Sequence, residues 1–196
     1  MLAHNSQLWI FYIYQFTSLY LPTLQGETLY IVDGKDENNG GISFTDYDLG
    51  RKAVILNNPC CLVVCCDKFP ENALPIKKGN FSKQCECVVF PEYEEKDNWE
   101  LFVEMKYAKD IFKARDLRNN YPEKMVYQIV QTVEYFRAKC ILPEEKVVYA
   151  LVSFPFLENF NAWFDQNLLL DALVKHHIIV RASNKAKVIS KKVLAL

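Results

Sequence analysis

Two acids and a lysine stand out because their neighbours are apolar. In Leu101-Phe102-Val103-Glu104-Met105-Lys106, alternation along a strand puts Glu104 and Lys106 on one face and Val103 and Met105 on the other. In the preceding apolar run, Gln84 to Phe90, the same rule points Cys85 and Cys87 one way and Glu86 the other. If the two runs are neighbours in a sheet, Glu86 and Glu104 converge. Two carboxylates there make a hard-oxygen site suited to Mg2+ or Mn2+, which would keep several waters. An ammonium beside them can orient a metal-bound water or stabilise charge developing on a phosphate. That set is workable for phosphodiester hydrolysis. The plain alternative is that Glu104 and Lys106 form a solvent-exposed strand pair, worth about 0.2–1 kcal/mol.

The elements that must position these residues follow from periodicity and turn chemistry. Residues 60–69, 84–90 and 100–107 read as three strands, separated by Pro70, Pro75, Gly79, Asn80, Pro91, Asp97 and Asn98. Such short links favour an antiparallel meander. Pro122 then opens a helix to about Cys140, with Met125, Val126, Ile129, Val130, Val133 and Phe136 at helical spacing. On it Gln131 and Tyr135 are one turn apart, with Gln128 a turn earlier, a polar stripe able to line a cleft. Lys146 to Phe154 is a continuous apolar run of the kind expected of a central strand. A helix over 159–175 and strands at 178–182 and 187–194 close the chain. Upstream, TLYIV is a short strand, and 43–58 reads as a helix begun by Ser43 or Thr45 and ended by Asn57-Asn58-Pro59. The fold class is α/β: a mixed central sheet flanked by helices. The chain divides into an N-terminal strand or hairpin extension, 1–42, and an α/β unit, 43–196, within a single domain overall.

Composition narrows the classes. With 196 residues, 51% of them hydrophobic, the chain can bury one sizeable core. Lys+Arg of 23 against Asp+Glu of 24 argues against a histone-like protein that coats nucleic acid by bulk charge. Local charge is uneven. Residues 172–196 hold Lys175, Arg181, Lys185, Lys187, Lys191 and Lys192 with no acid. A second cluster, Lys106, Lys109, Lys113, Arg115 and Arg118, follows Glu104 directly and belongs to a loop or short helix at the cleft mouth. Seven cysteines, an odd number set mostly in strand-like stretches, argue for free thiols in a reducing compartment, the cytoplasm. The most apolar run, Leu8 to Leu21, is interrupted by polar residues and shorter than the roughly 20 residues of a membrane span, so a strand or buried segment is expected and no membrane partner.

An acid in one strand, then a strand ending acid-x-Lys, then a helix, resembles the PD-(D/E)xK nuclease superfamily in its RecB-like branch. The resemblance spans 43–154 and implies a restriction-endonuclease-like αβββαβ core. It implies Glu86 and Glu104 as metal ligands, with Asp48 or Asp46 of the first helix joining them, and Glu86, Glu104 and Lys106 as the catalytic set. Gln131 and Tyr135 match the branch's Q-x-x-x-Y pattern, and with Lys109 and Lys113 they are the expected substrate-binding residues. Mg2+ or Mn2+ would be the cofactor and nucleic acid, DNA first, the partner. A homodimer is one assembly the resemblance suggests. Glu86 stands where the family usually has Asp, which leaves a catalytically inactive binding or assembly module as the alternative.

Overall fold

The computed structural model describes residues 22–34, 41–92, 97–116 and 118–196. The apolar run Leu8 to Leu21 lies outside them. Two sheets and a helical layer are stacked. The first sheet has strand order β1-β5-β8-β9-β10-β11, built from β1 (Thr23–Leu24), β5 (Val64–Lys68), β8 (Cys87–Pro91), β9 (Leu101–Met105), β10 (Val148–Ser153) and β11 (Ile178–Ala182). Strands β5, β8 and β9 form an antiparallel meander, and β10 runs parallel to both β9 and β11. Every residue of β8 and β9 is buried, as unbroken apolar runs covered on both faces must be. The parallel step from β9 to β10 needs a crossover, supplied by α1 (Ile111–Arg115) and α2 (Tyr121–Ala138). A third helix, α3 (Gln166–His176), connects β10 to β11 after a 3-10 turn at Asn161–Trp163.

The helix expected over 43–58 does not form. That segment holds β3 (Ile42–Thr45) and β4 (Val54–Asn57), which flank β2 (Thr28–Asp33) in the second sheet; with β12 (Lys185–Val188) and β13 (Leu194–Ala195) its order is β13-β12-β4-β2-β3. Its apolar residues alternate, with Val54 and Leu56 buried and Asn57 exposed. Gly50 lies between the two strands at φ +66°, a left-handed turn that a helix could not hold. Because β2 pairs with β3 and β4, residues on both sides of position 42 share one sheet. The strand expected over 187–194 is two: β12 (Lys185–Val188) and β13 (Leu194–Ala195) pair antiparallel about Ser190. A small hairpin, β6 (Pro75–Lys77) with β7 (Asn80–Phe81), fills the Pro75–Gly79 linker.

Two apolar cores result. On one face of the first sheet, Val88, Phe90, Phe102, Ala150 and Val152 meet Met125, Ile129, Val133 and Phe136 of α2. On the other, Cys66, Val89, Leu101, Val103 and Leu151 meet Leu29, Ile31, Val54 and Leu56 of the second sheet. Each fully buried Leu, Val or Phe here contributes on the order of 1.5–3 kcal/mol by burial. Asn184 joins the sheets: its side chain bonds Ser153, Phe154 and Leu157, and its carbonyl accepts from Ile55 N. Among the described residues, no helix is long and apolar enough to cross a membrane.

Candidate functional site

Glu104 is the penultimate residue of β9 and faces the helix layer with Phe102. Its side chain is 0% exposed, so it is not the solvent-facing partner of a surface pair. Oε1 accepts from Lys106 Nζ at 2.5 Å. Lys106 leaves the sheet immediately afterwards, its N–H held by Ser153 O at 2.9 Å. At 26% exposure its side chain spans from the buried carboxylate to the surface. There it lines a pocket of about 230 Å3 together with Tyr107, Ala108, Lys109, Lys113 and Tyr121.

Two features hold the pocket walls. Tyr107 OH accepts from Asp33 N at 2.9 Å and donates to Lys52 O at 3.0 Å, which ties the end of β9 to the second sheet. Asp110 caps α1 by accepting from Lys113 N at 2.7 Å. The expected substrate lysines, Lys109 and Lys113, therefore stand beside Lys106. None of the C-terminal lysines lines the pocket; Lys185 and Lys187 are exposed on β12, an inner strand of the second sheet.

Glu86 departs from the alternation expected of it. The β8–β9 ladder pairs Cys87 with Val103, and regular continuation would set Glu86 across from Glu104. Instead Glu86 N donates to the carbonyl of Val103 at 3.0 Å, and the chain bends at Glu86. This is a β-bulge, two residues of one strand facing one of the other. The register slips by one, so Cys85 takes the level of Glu104. Cys85 and Cys87, expected on one face, belong to the helix-side and sheet-side cores respectively. Glu86 sits half-buried at the bend. Burial pushes the Cys85 thiol well up, and the negative charges of Glu104 and Glu86 both push it further, so both carboxylates lie within electrostatic reach of it.

The segment just ahead of β8 is clamped by α2. Thr132 Oγ1 accepts from Cys85 N and donates to Gln128 O, each at 2.8 Å, and Gln128 Nε2 donates to Gln84 O at 2.8 Å. Sequence reasoning chose Gln131 and Tyr135 and missed Thr132. The signal was present, because Thr132 interrupts the apolar stripe of α2 and is fully buried. Gln131 is half-buried, and Tyr135 packs on the helix-side core with Lys139 Nζ 5.6 Å from its ring centre. Along the helix axis they lie about 15 and 21 Å from Tyr121 at the pocket.

Asp48 is exposed in the turn after β3, its Oδ1 accepting from Gly50 N at 2.7 Å. The helix that would have carried it toward Glu104 is absent. Asp67 shares the helix-side face but is two strands across and two residues along from Glu104, about 12 Å at the usual strand spacing and rise. Among the described residues, no group of three or more His, Cys, Asp and Glu side chains is placed to hold a metal ion. The candidate oxygen donors are the carboxylates of Glu104, fully buried and paired with Lys106, and of Glu86, half-buried at the bend. Carboxylate oxygens suit a hard cation that draws the rest of its shell from water and phosphate. All seven cysteines are free thiols; Cys66, Cys85 and Cys87 are buried, while Cys60 and Cys140 are exposed.

No protein-family model, curated protein or solved structure matches this chain.

Proposed function

We propose that this chain is a nuclease-like protein that takes nucleic acid at the Lys106–Lys109–Lys113 pocket and hydrolyses its phosphodiester bonds with Mg2+ or Mn2+. The observation that carries the reading is Lys106, which joins a fully buried carboxylate, Glu104, to a pocket walled by two further lysines. The meander β5–β8–β9, the helical crossover and the parallel β10 also support it, since they follow the order that the resemblance implies after its first helix. Glu104 and Glu86 would hold the cation, which supplies Lewis acidity and a lowered pKa for bound water. Lys109 and Lys113 hold phosphate by charge. Lys106 balances Glu104 and presents a proton donor to a phosphate oxygen. Thr132 and Gln128 hold Cys85 and Gln84, the residues just ahead of Glu86, against the helix.

The test is a Mn2+-dependent cleavage assay on single-stranded, duplex and branched substrates, paired with calorimetry of Mg2+ and Mn2+ binding. Cleavage and metal heat that both vanish in Glu104→Gln support the proposal; metal heat independent of Glu104 and no cleavage sink it. A second reading is a nucleic-acid-binding module without catalysis. The full burial of Glu104 and its pairing with Lys106 favour it, because they make the pair a structural element as well. Binding that persists in EDTA, with no cleavage, would select it.

A further inference from the structure

The pocket is flanked by an aromatic ring that the fold leaves in water. Phe112, in the middle of α1, is 84% exposed, and Ile111 beside it is 43% exposed. Burying a phenylalanine is among the larger favourable terms available to a chain of this size, so its exposure has to be set against what surrounds it. It follows Lys109 and precedes Lys113, two walls of the pocket. Ala114, by contrast, is fully buried and anchors α1 to the helix-side core. Arg115 adds charge at the next position, its guanidinium carbon 5.8 Å from the centre of the Trp163 ring. Residues 106–118 thus carry five basic side chains against two acids, Asp110 and Asp116. Arg118 is taken by Asp116 at 2.7 Å, and Lys113 Nζ stands 3.9 Å from Asp110.

An exposed ring between phosphate-binding lysines is the arrangement that single-stranded nucleic acid uses: charge tracks the backbone, and an aromatic face stacks an unpaired base. A duplex offers no free base face to such a ring, because its bases are stacked on one another. We infer that α1 is a stacking platform, and that single-stranded nucleic acid crosses it with phosphates on Lys109 and Lys113 and a base on Phe112. The inference rests on the proposed function above and names the substrate form that its pocket selects.

Fluorescence anisotropy of a labelled oligothymidylate, with the full chain in EDTA, tests it. Phe112→Ala is expected to weaken single-strand binding about 10-fold, Phe112→Tyr to retain it, and neither to alter duplex binding. The slope of log affinity against log salt should be unchanged by Phe112→Ala and shallower in Lys109→Ala/Lys113→Ala. If Phe112→Ala binds as the wild type while the lysine variant fails, the stacking platform is wrong and the phosphate pocket stands. If the lysine variant binds as the wild type, or no oligonucleotide binds, the pocket reading falls as well. If Phe112→Ala instead converts a dimer to a monomer by light scattering, the ring is a protein contact and the inference is overturned.

Discussion

Strand β9 has a buried glutamate at each end, and each glutamate holds a lysine. Immediately before the strand, Glu100 Oε1 accepts from Lys146 Nζ at 2.6 Å; at the far end, Glu104 Oε1 accepts from Lys106 Nζ at 2.5 Å. The pairs differ in what lies beyond the lysine. Lys146 is only 15% exposed, and Arg137 closes the cluster, bonding Lys146 O, His176 O and Glu134. This end ties the close of α2 to the starts of β10 and β11. Glu100 Oε2 and Arg137 Nε are buried there without hydrogen-bond partners among the described residues. Lys106 instead reaches a pocket open to water and two further lysines. The same residue pair makes a lock where helices seal it and a candidate site where the chain leaves the sheet.

The largest effect should come from opening the lock. Lys146→Met strands Glu100 in an apolar environment and should cost about 3–5 kcal/mol in urea denaturation. Glu100→Gln/Lys146→Met should recover most of that loss, because no buried charge is left without a partner. Lys106→Met should leave more stability and remove the proposed function, since the space vacated by the partly exposed Lys106 opens Glu104 to the water of the pocket. Equal stability losses in Lys146→Met and Lys106→Met would erase the distinction between the two ends.

Thr132→Val keeps the shape of the clamp and deletes its oxygen. Cys85 N–H then loses its acceptor, at about 1–3 kcal/mol by the same measurement. The loss should be accompanied by faster hydrogen exchange at Cys85, because β8 loses its anchor just ahead of the bulge. An unchanged exchange rate would mean that α2 does not hold Glu86 in place.

The pH dependence separates the ends further. Burial raises the Glu100 carboxyl above its ordinary range, and Lys146 only partly opposes this. The folded chain therefore keeps that proton over a window in which the unfolded chain has already released it. The Glu100 contribution to stability is thus greatest below the ordinary carboxylate pKa and is lost as pH rises through the folded value. Denaturation midpoints across that range, wild type minus Glu100→Gln, should fall with rising pH; a flat difference refutes the assignment. The smallest effect on stability belongs to the pocket. Lys109→Ala/Lys113→Ala should change it by no more than about 0.5 kcal/mol, because both side chains are exposed. A larger loss would make them part of the scaffold.

How much of this was legible in the residues varies with the kind of contact that decides each element. The helix at α2 was legible from its helical period, and the strands β8, β9 and β10 from short apolar runs bounded by turn residues. The helix expected over 43–58 was wrong because β3 and β4 are four-residue strands. Such strands show too few alternations to outweigh the cap-like Ser43 and Thr45, and their pairing to β2 and β12 is non-local. The misplacement of Asp48 follows directly from that error. Thr132 was overlooked because a hydroxyl within an apolar stripe has no visible purpose until Cys85 N lies beneath it.

By itself the sequence determined which residues are apolar at which period, and so the order of the main elements and the presence of Glu104 within, and Glu100 and Lys106 beside, a fully buried strand. Those properties are local, set by backbone sterics and by transfer of side chains out of water. Only the tertiary structure decided that the register slips at Glu86, that α2 grips Cys85, and that one glutamate–lysine pair is sealed while the other opens to a pocket. Each of these depends on hydrogen bonds between segments far apart in the chain, and alternation along a single strand carries no information about them.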